Sequence, residues 1–517
     1  MKVLVVAPPN SNTAIEGAAC TVTNPQEHSD WANYPHLGVL ALVSALRPVP
    51  GIEPEYLDGT ILPWQELLKY VEDHAGEILA LCITALTATY EAGLQLCAAA
   101  KNANENIVTI MGNDHVTALT AEVSSLRAGQ VDYIFTGNEV VGRFVGLIAA
   151  LRAGAVAKTP GVVQVIGSSP GEPVYTSIDH SAIDRTFRHS AAYRKNFAGR
   201  IAPALLRLTG RTFAAGVPVE IGRGCVKFAQ DDACSFCSIQ HAGVWRNSIR
   251  DAATAWNVIS DAHRAGYDYL YLTADELPLT FGKLLREMQA ETPGWWREMA
   301  EDERPAMVGY ARADGLENER NAALLRGLGI RQVMVGLDAG SPISLRALRK
   351  PLSPRRDPAP AARAEKLFES NVRALSSAKN TGLVLKVGFV LGHLGMSHGL
   401  LRENVDMMNE LLTLGAGSIT SVDVEVLSPE PGSLDFRTLL SPDLASARAS
   451  RLGLPLPTSA PREQLAGKWR GKDVIDRESA MADYVTAVMP GLTMADLAEA
   501  RSAVRTHAAD LGLTIGS

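Results

Sequence analysis

The chain has 517 residues, of which 46% are hydrophobic and 20% are charged, with a formal net charge of −7 and a pI near 5.9. This length predicts more than one domain, and the acidic balance argues against a binding surface for nucleic acid or anionic membrane. No apolar run reaches the roughly 18 residues of a membrane span, and the apolar N-terminal run is too short for a signal peptide. We therefore expect a cytoplasmic protein.

Residues 1–165 alternate between apolar, strand-like runs and helical runs. This alternation predicts a doubly wound, Rossmann-like parallel sheet, which binds ligands at the carboxyl ends of its strands. No GxGxxG follows the first strand and no GxxxxGK[ST] occurs, so dinucleotide and P-loop nucleotide binding are unsupported. The predicted strands are 3–7, 55–57, 78–84, 107–111 and 131–135, and the predicted helices are 37–46, 64–74, 90–101 and 141–151.

Small polar loops follow four of these strands. In any one loop such residues are adequately explained as turn residues. Four such loops at one sheet edge predict a rim for a large ligand that forms many hydrogen bonds. The candidate contacts are Pro8, Pro9, Thr84, Thr87, Gly112, Asn113, His115, Thr117, Gly137 and Glu139.

Three of the six cysteines, Cys225, Cys234 and Cys237, fall within thirteen residues. Three thiolates on one loop can hold an iron–sulfur cubane with one iron left open. Together with His241 they also form a Cys₃His set, which is typical of a closed structural zinc site. The cysteines alone do not decide between the two.

Residues 216–440 predict six strand–helix units, with strands at 219–221, 267–272, 307–310, 332–335, 384–391 and 421–426. Such a series is typical of a partial (β/α)₆ barrel, whose reactive groups sit at the carboxyl ends of the strands. The cysteines follow the first strand at that end. A structural zinc needs no such barrel, so the cluster is favoured. Residues 166–215 are predicted to be a linker, and 441–517 a helical C-terminal domain with helices at 474–489 and 493–511.

The chain resembles the cobalamin-dependent radical SAM enzymes of the class B methyltransferase type. The resemblance implies that Cys225, Cys234 and Cys237 bind a [4Fe–4S] cluster, although eight residues separate the first two where three is usual. It places the corrin on loops 83–87, 112–117 and 136–139, with His115 as a loop contact and no histidine ligand on cobalt. The matching segments are 5–9, 35–40, 57–58, 112–119 and 137–139, together with the cysteine loop.

The same resemblance implies roles around S-adenosylmethionine (SAM), which would chelate the open iron. Glu276 accepts from its amino group, or instead caps the iron itself. Arg312 pairs with the carboxylate of SAM or of the substrate. Asp338, Ser341 and Gly392 lie in segments resembling those that contact ribose and adenine. Tyr310 is a candidate base or substrate contact, with an ordinary barrel-filling aromatic as the alternative.

The implied function is methyl transfer from SAM, through methylcobalamin, to a carbon of a small molecule or peptide in secondary metabolism. A 5′-deoxyadenosyl radical would activate an unreactive carbon; a polar route would methylate an sp² carbon such as that of an indole. A non-methylating rearrangement or cyclisation, and a non-catalytic cobalamin- or light-sensing protein, are the alternatives. The implied partners are a low-potential flavodoxin- or ferredoxin-type electron donor and the substrate, and the chain is expected to be a monomer.

Overall fold

The computed structural model describes residues 1–12, 21–22, 33–137, 140–156, 159, 161–167, 178–180, 190–230, 232–239, 246–352 and 360–516. Its strands are β1 Lys2–Ala7, β2 Ser11–Asn12, β3 Thr21–Val22, β4 Glu53–Asp58, β5 Ile78–Thr84, β6 Val108–Gly112, β7 Tyr133–Thr136, β8 Gln164–Gly167, β9 Gly216–Val219, β10 Gly222–Gly224, β11 Arg246–Ser248, β12 Tyr269–Leu272, β13 Ala306–Arg312, β14 Ile330–Asp338, β15 Val384–Leu391, β16 Ile419–Val426 and β17 Thr514–Ile515.

The helices fill most of the connections between these strands. They are α1 Leu37–Leu46, α2 Trp64–Asp73, α3 Tyr90–Ala103, α4 Asp114–Ala118, α5 Thr120–Leu126, α6 Val141–Arg152, α7 Ser190–Arg200, α8 Ala202–Thr209, α9 Ala252–Arg264, α10 Gly282–Ala290, α11 Gly294–Glu298, α12 Ala313–Leu316, α13 Glu319–Gly327, α14 Pro342–Ala347, α15 Pro360–Thr381, α16 His398–Gly415, α17 Leu434–Leu440, α18 Pro442–Leu452, α19 Arg462–Trp469, α20 Arg477–Val488 and α21 Met494–Asp510.

The first sheet is parallel, with the strand order β4-β1-β5-β6-β7-β8. Residues 3–7 of β1 are at most 2% exposed, as expected for a strand covered on both faces. Helix α1 packs on α6, and α2 packs on α3. The strand order reverses between β1 and β5, which opens a crevice at their carboxyl ends. The predicted doubly wound sheet is confirmed; edge strand β8 was not predicted, because it is short and half-exposed.

The second sheet is also parallel, and its strands follow chain order from β9 through β12, β13, β14, β15 and β16 to β17. Within the described residues β9 and β17 pair on one side only, so the barrel is partial, as predicted. The first strand ends at Val219, two residues earlier than predicted, and β14 extends to Asp338. β17 adds a strand inside the region predicted to be helical, because two residues give too short a pattern to detect.

Helix α7, in the predicted linker, contacts both sheets. The Tyr193 hydroxyl donates to Asp58 Oδ2 (2.5 Å) at the end of β4. One turn later, the Phe197 ring packs on Tyr269 of β12, with centroids 5.4 Å apart. The linker is therefore a structural bridge. The domain boundaries at 165, 215 and 440 stay predictions.

The C-terminal helices pack around a buried ion pair. Arg448 donates to Asp435 Oδ1 (2.9 Å), and the Tyr484 hydroxyl donates to the same oxygen (2.7 Å). The backbone N–H of Asp435 donates to the carbonyl of Ser235, which ties this region to the cysteine loop. In the described part of the chain, no helix is both long and apolar enough to cross a bilayer.

We expect Asp435→Ala to destabilise the protein by about 3–5 kcal/mol, because it leaves the Arg448 charge buried without its partner. The measurement is the unfolding transition that includes the C-terminal helices, followed by denaturant titration. The control is Asp73→Ala, which breaks an exposed pair with Lys69 and should cost less than about 1 kcal/mol. Equal losses in the two variants would contradict the expectation.

Candidate active site

The cysteine loop begins at the hairpin of β10 and β11, just after the first barrel strand. Gly224 has a φ of +122°, which favours glycine, and its N–H donates to Asp275 Oδ2 (2.6 Å). The loop that follows brings Cys225, Cys234 and Cys237 to the wall of one cavity of 430 Å³ at the carboxyl ends of the barrel strands. We call it the cysteine cavity.

Backbone N–H groups favour the thiolate form of two of the cysteines. The N–H of Lys227 donates to the Cys225 thiol, and the N–H of Ile239 donates to the Cys237 thiol, which favours the thiolate at both. Burial acts in the opposite direction: it raises the pKa of Cys225 to about 11 and that of Cys237 to about 12. Burial disfavours the negative charge of the thiolates, and a bound metal stabilises that charge with its own positive charge.

The three cysteines line one cavity, as ligands of a single cluster must. Among the residues described, no three His, Cys, Asp or Glu side chains converge as ligands of one metal ion. A cubane does not require such convergence, because each cysteine binds a different iron. His241, the fourth ligand of the zinc alternative, lies outside the described residues.

A short segment after α14 fixes the cysteine loop in place. The carbonyl of Leu348 accepts from Ser235 N (2.9 Å), and that of Lys350 accepts from Arg312 (2.9 Å). The Lys227 ammonium donates to the carbonyls of Arg349 (2.7 Å) and Pro351 (2.8 Å). Four successive carbonyls thus accept from the walls of the cavity. The role of residues 348–351 was not predicted, because nothing in their sequence resembles a motif.

Glu276 does not line the cysteine cavity. Its carboxylate is fully buried and accepts from the N–H groups of Leu279 and Thr280 and from the Thr280 hydroxyl (2.6–3.1 Å). Burial raises its pKa, and these donors offset part of the rise. This geometry supports neither the predicted SAM contact nor the predicted iron cap. The carboxylate that faces the cavity is that of its neighbour, Asp275.

Three other predicted residues do line the cavity. Arg312 is 4% exposed and forms a two-point ion pair with Asp314 (2.7 and 2.9 Å). Tyr310 is 37% exposed, with its ring at 5.9 Å from that of Tyr271. Asp338 contacts the Lys350 ammonium and has a φ of +60°, a strained conformation that is enriched at functional sites.

Ser341 and Gly392, predicted to contact ribose and adenine, serve packing instead. Ser341 is fully buried and caps α14 by accepting from Ser344 N (3.2 Å). Gly392 has a φ of +91°, and a Cβ there would lie 2.8 Å from Cε of Met489. Neither residue lines the cysteine cavity. Gly336 and Gly388 both line it; the space beside Gly388 is open, whereas the side chains of Asp338 and Lys350 lie against Gly336.

Two further cavities lie at the carboxyl edge of the first sheet. The inner cavity, of 370 Å³, has a mostly apolar wall that includes Val5, Ile110 and Phe135, and it contains Gly112 and Gly137. The outer cavity, of 280 Å³, is more polar and contains Pro8, Thr87 and His115. Thr84 and Asn113 border both. Pro9 and Thr117 line neither cavity, and Glu139 is outside the described residues.

Hydrogen bonds join the predicted loops into one rim. Asn113 has a φ of +88°, and its amide donates to Thr84 Oγ1 (2.9 Å). Thr117 Oγ1 donates to the Asn113 carbonyl (2.9 Å) and accepts from Gly137 N (3.2 Å). The ends of β5, β6 and β7 are therefore held together by their own polar residues.

His115 is a loop contact in this structure. Its Nε2 lies 2.8 Å from the carbonyl of Asp473, and its Nδ1 lies 3.2 Å from Thr87 Oγ1. Burial lowers its pKa to about 4, so at neutral pH the ring is uncharged, with Nε2–H as the donor. Both ring nitrogens are thus occupied by protein groups.

Asp473, far along the chain, clamps the C-terminal region onto this rim. Its carboxylate accepts from Arg127 (2.5 and 2.9 Å) and from the Tyr90 hydroxyl (2.7 Å). Burial would raise the pKa of Asp473, but these donors outweigh it and hold the pKa below its usual value. Nearby, Trp469 is buried and Arg470 forms a salt bridge with Glu463.

The inner cavity and the cysteine cavity meet. Ile239 and Asp275 border both of them. Glu220 and Arg223, beside the cysteine loop, complete the wall of the inner cavity. A ligand at the edge of the first sheet and a ligand beside the cysteines would therefore face each other.

We expect Asp473→Ala to raise amide hydrogen exchange in residues 112–119 by about tenfold or more, because hydrogen bonds to a charged group contribute about 1.5–3 kcal/mol each. Exchange is followed by mass spectrometry on peptides from this segment. The control is Asp483→Ala, which removes contacts to Lys468 and Trp469 only. Unchanged exchange in the Asp473 variant would show that the clamp does not order the rim.

No protein-family model matches the chain, and no curated protein matches it. Two solved structures of the radical S-adenosylmethionine methyltransferase TsrM from Kitasatospora setae do. The one with cobalamin and a [4Fe–4S] cluster has a TM-score of 0.60 at 15% identity, over 97% of this chain and 90% of that chain. The one with tryptophan and the SAM analogue aza-SAM has a TM-score of 0.56 at 16% identity, over 84% and 74%. This chain has the fold of a radical SAM methyltransferase.

Proposed function

We propose that the chain is a cobalamin-dependent radical SAM methyltransferase that moves a methyl group from SAM to a carbon of a small molecule or peptide. One observation carries the proposal: a cavity lined by three cysteines meets a cavity at the ligand edge of a doubly wound sheet. Both TsrM structures share this fold, and between them they contain the cluster, cobalamin and a SAM analogue. A non-catalytic cobalamin- or light-sensing protein would have no use for the cysteine cavity.

The cysteine cavity would hold the cluster and SAM. Cys225, Cys234 and Cys237 would bind three irons, and Arg312 lies in the same wall to contact a carboxylate. Gly388 leaves room for a ligand to approach the backbone, and Asp338 brings an acceptor to the end of β14. SAM would then lie between the cysteines and the two residues that border both cavities, Ile239 and Asp275.

The inner and outer cavities would hold cobalamin. The apolar wall of the inner cavity suits an uncharged aromatic group, and the hydroxyls and amides of the rim suit the amide side chains of a corrin. The nitrogens of His115 are engaged elsewhere, which supports a corrin with no histidine on cobalt. Cobalamin supplies a carrier that accepts a methyl group and passes it on; the protein orients the partners and excludes water.

The wall of the cysteine cavity also suggests the substrate class. Lys386 and Asp423 form an ion pair there (2.9 Å), and each is about one-third exposed. A pair in this setting can exchange partners with a ligand that carries both charges. The exposed ring of Tyr310 offers an aromatic contact nearby. We propose a small zwitterion with an aromatic ring, which is also the class of the tryptophan bound to TsrM.

The test is anaerobic incubation of the reconstituted protein with SAM, cobalamin, dithionite and aromatic amino acids. We expect S-adenosylhomocysteine and a methylated amino acid, detected by mass spectrometry. Cys234→Ala should lose most of the roughly four irons of the cluster and all methyl transfer. Cys97→Ala, at a buried cysteine outside these cavities, should keep both.

The accompanying nucleoside separates the chemical routes. 5′-Deoxyadenosine formed with the product indicates the radical route, and its absence indicates the polar route to an sp² carbon. SAM cleavage without any S-adenosylhomocysteine would overturn methyl transfer in favour of rearrangement or cyclisation. In the cell the electrons would come from a flavodoxin- or ferredoxin-type donor, and we propose that the enzyme acts as a cytoplasmic monomer.

We expect Lys386→Met to raise the KM for the amino acid by about 10–100-fold, because one charged contact contributes about 1.5–3 kcal/mol. Initial rates at varied amino acid concentration measure the effect. Lys379→Met, on the outer surface of α15, changes the same charge and should leave KM unchanged. An unaltered KM in the Lys386 variant would place the substrate elsewhere.

A further inference from the structure

Residues 226–233 make the gap between the first two cysteines longer than the family's usual three residues, and the structure describes all of them except residue 231. Val226–Gln230 forms a 3₁₀ turn, in which Phe228 N donates to the carbonyl of Cys225 (2.9 Å). Val226 N donates to Thr280 Oγ1 (3.0 Å). The described part of the insert, 226–230 and 232–233, therefore folds onto the barrel and carries two side chains, Lys227 and Phe228, into the wall of the cysteine cavity.

Lys227 is 2% exposed, and its ammonium has three acceptors. They are the carbonyls of Arg349 (2.7 Å) and Pro351 (2.8 Å) and Asp232 Oδ2 (3.2 Å). An ammonium has three N–H donors, one for each of these acceptors, whereas a neutral amine has only two. The geometry thus fits a charged lysine.

The charge balance distinguishes Lys227 from the other cations of the cavity. Arg312 pairs with Asp314, Lys350 with Asp338, and Lys386 with Asp423, so each of these cations has its own carboxylate. Asp232, in contrast, is shared between Lys227 and Arg349. Among the described side chains these two cations share one carboxylate, so this group keeps an excess positive charge next to the cysteines.

We propose that Lys227 is a positioning residue that anchors the 226–233 insert and holds a fixed positive charge beside the cluster, which raises the cluster's reduction potential. The inference rests on the proposed function only in requiring a cluster on the three cysteines. One-electron reduction by the external donor makes the cluster more negative by one charge. A nearby buried cation stabilises that reduced state, and burial limits screening by solvent.

The experiment is a redox titration of the reconstituted protein with dithionite, in which the reduced cluster is followed by electron paramagnetic resonance. Lys227→Met should shift the midpoint potential to a more negative value, and Lys227→Arg should restore it towards that of the wild type. Asp232→Asn, which removes the offsetting carboxylate, should shift it in the opposite direction. Lys283→Met removes an exposed cation on α10 and should leave it unchanged.

Iron and sulfide are counted in every sample. A fully loaded Lys227→Met protein with the wild-type potential would overturn the inference, and so would an Asp232→Asn shift in the negative direction. If the Lys227→Met protein loses its iron, the inference is tested by the direction in which Asp232→Asn shifts the midpoint potential. A wild-type protein that binds no cluster would overturn the proposed function itself.

Discussion

Four consecutive carbonyls, at residues 348–351, hold the candidate active site together. They accept from Ser235, from Arg312 and twice from Lys227, and so connect the cysteine loop, its insert and the end of β13. Arg349 adopts a φ of +54° to present them, a conformation that costs energy for a residue with a side chain. The cost is tolerated because the individual N–H groups that donate to these carbonyls would otherwise be buried without an acceptor.

The two sheets contribute different surroundings to one shared space. The first sheet provides a mostly apolar pocket with a rim of hydroxyls and amides, whereas the barrel provides thiols and paired charges. Ile239 and Asp275 stand where these surroundings meet. A reaction that passes a group between two cofactors needs such a contact, because a gap filled with water would permit side reactions.

The sequence was sufficient to predict what depends on local pattern. Runs of apolar residues predicted both sheets, and their order placed Cys225 at the ligand edge of the barrel. The direction of side chains at strand ends could not be predicted from the sequence. Asp275 faces the cavity, whereas the adjacent Glu276 folds back onto the N–H groups of Leu279 and Thr280. Ser341 and Gly392 were assigned to a ligand from their position in the chain, but their environment is tertiary packing, which no local pattern reveals.

The hydrogen bonds of Asp473 also determine when, during translation, the ligand site of the first sheet can be completed. Its partners, Tyr90, His115 and Arg127, leave the ribosome more than three hundred residues before it does. The first sheet can fold early, because its strands are local, but His115 in the wall of its outer cavity is fixed by Asp473, and Arg477 of that wall also comes from the last tenth of the chain. A ligand at this site would therefore be secured only after translation is nearly complete, and a truncated nascent chain would release it.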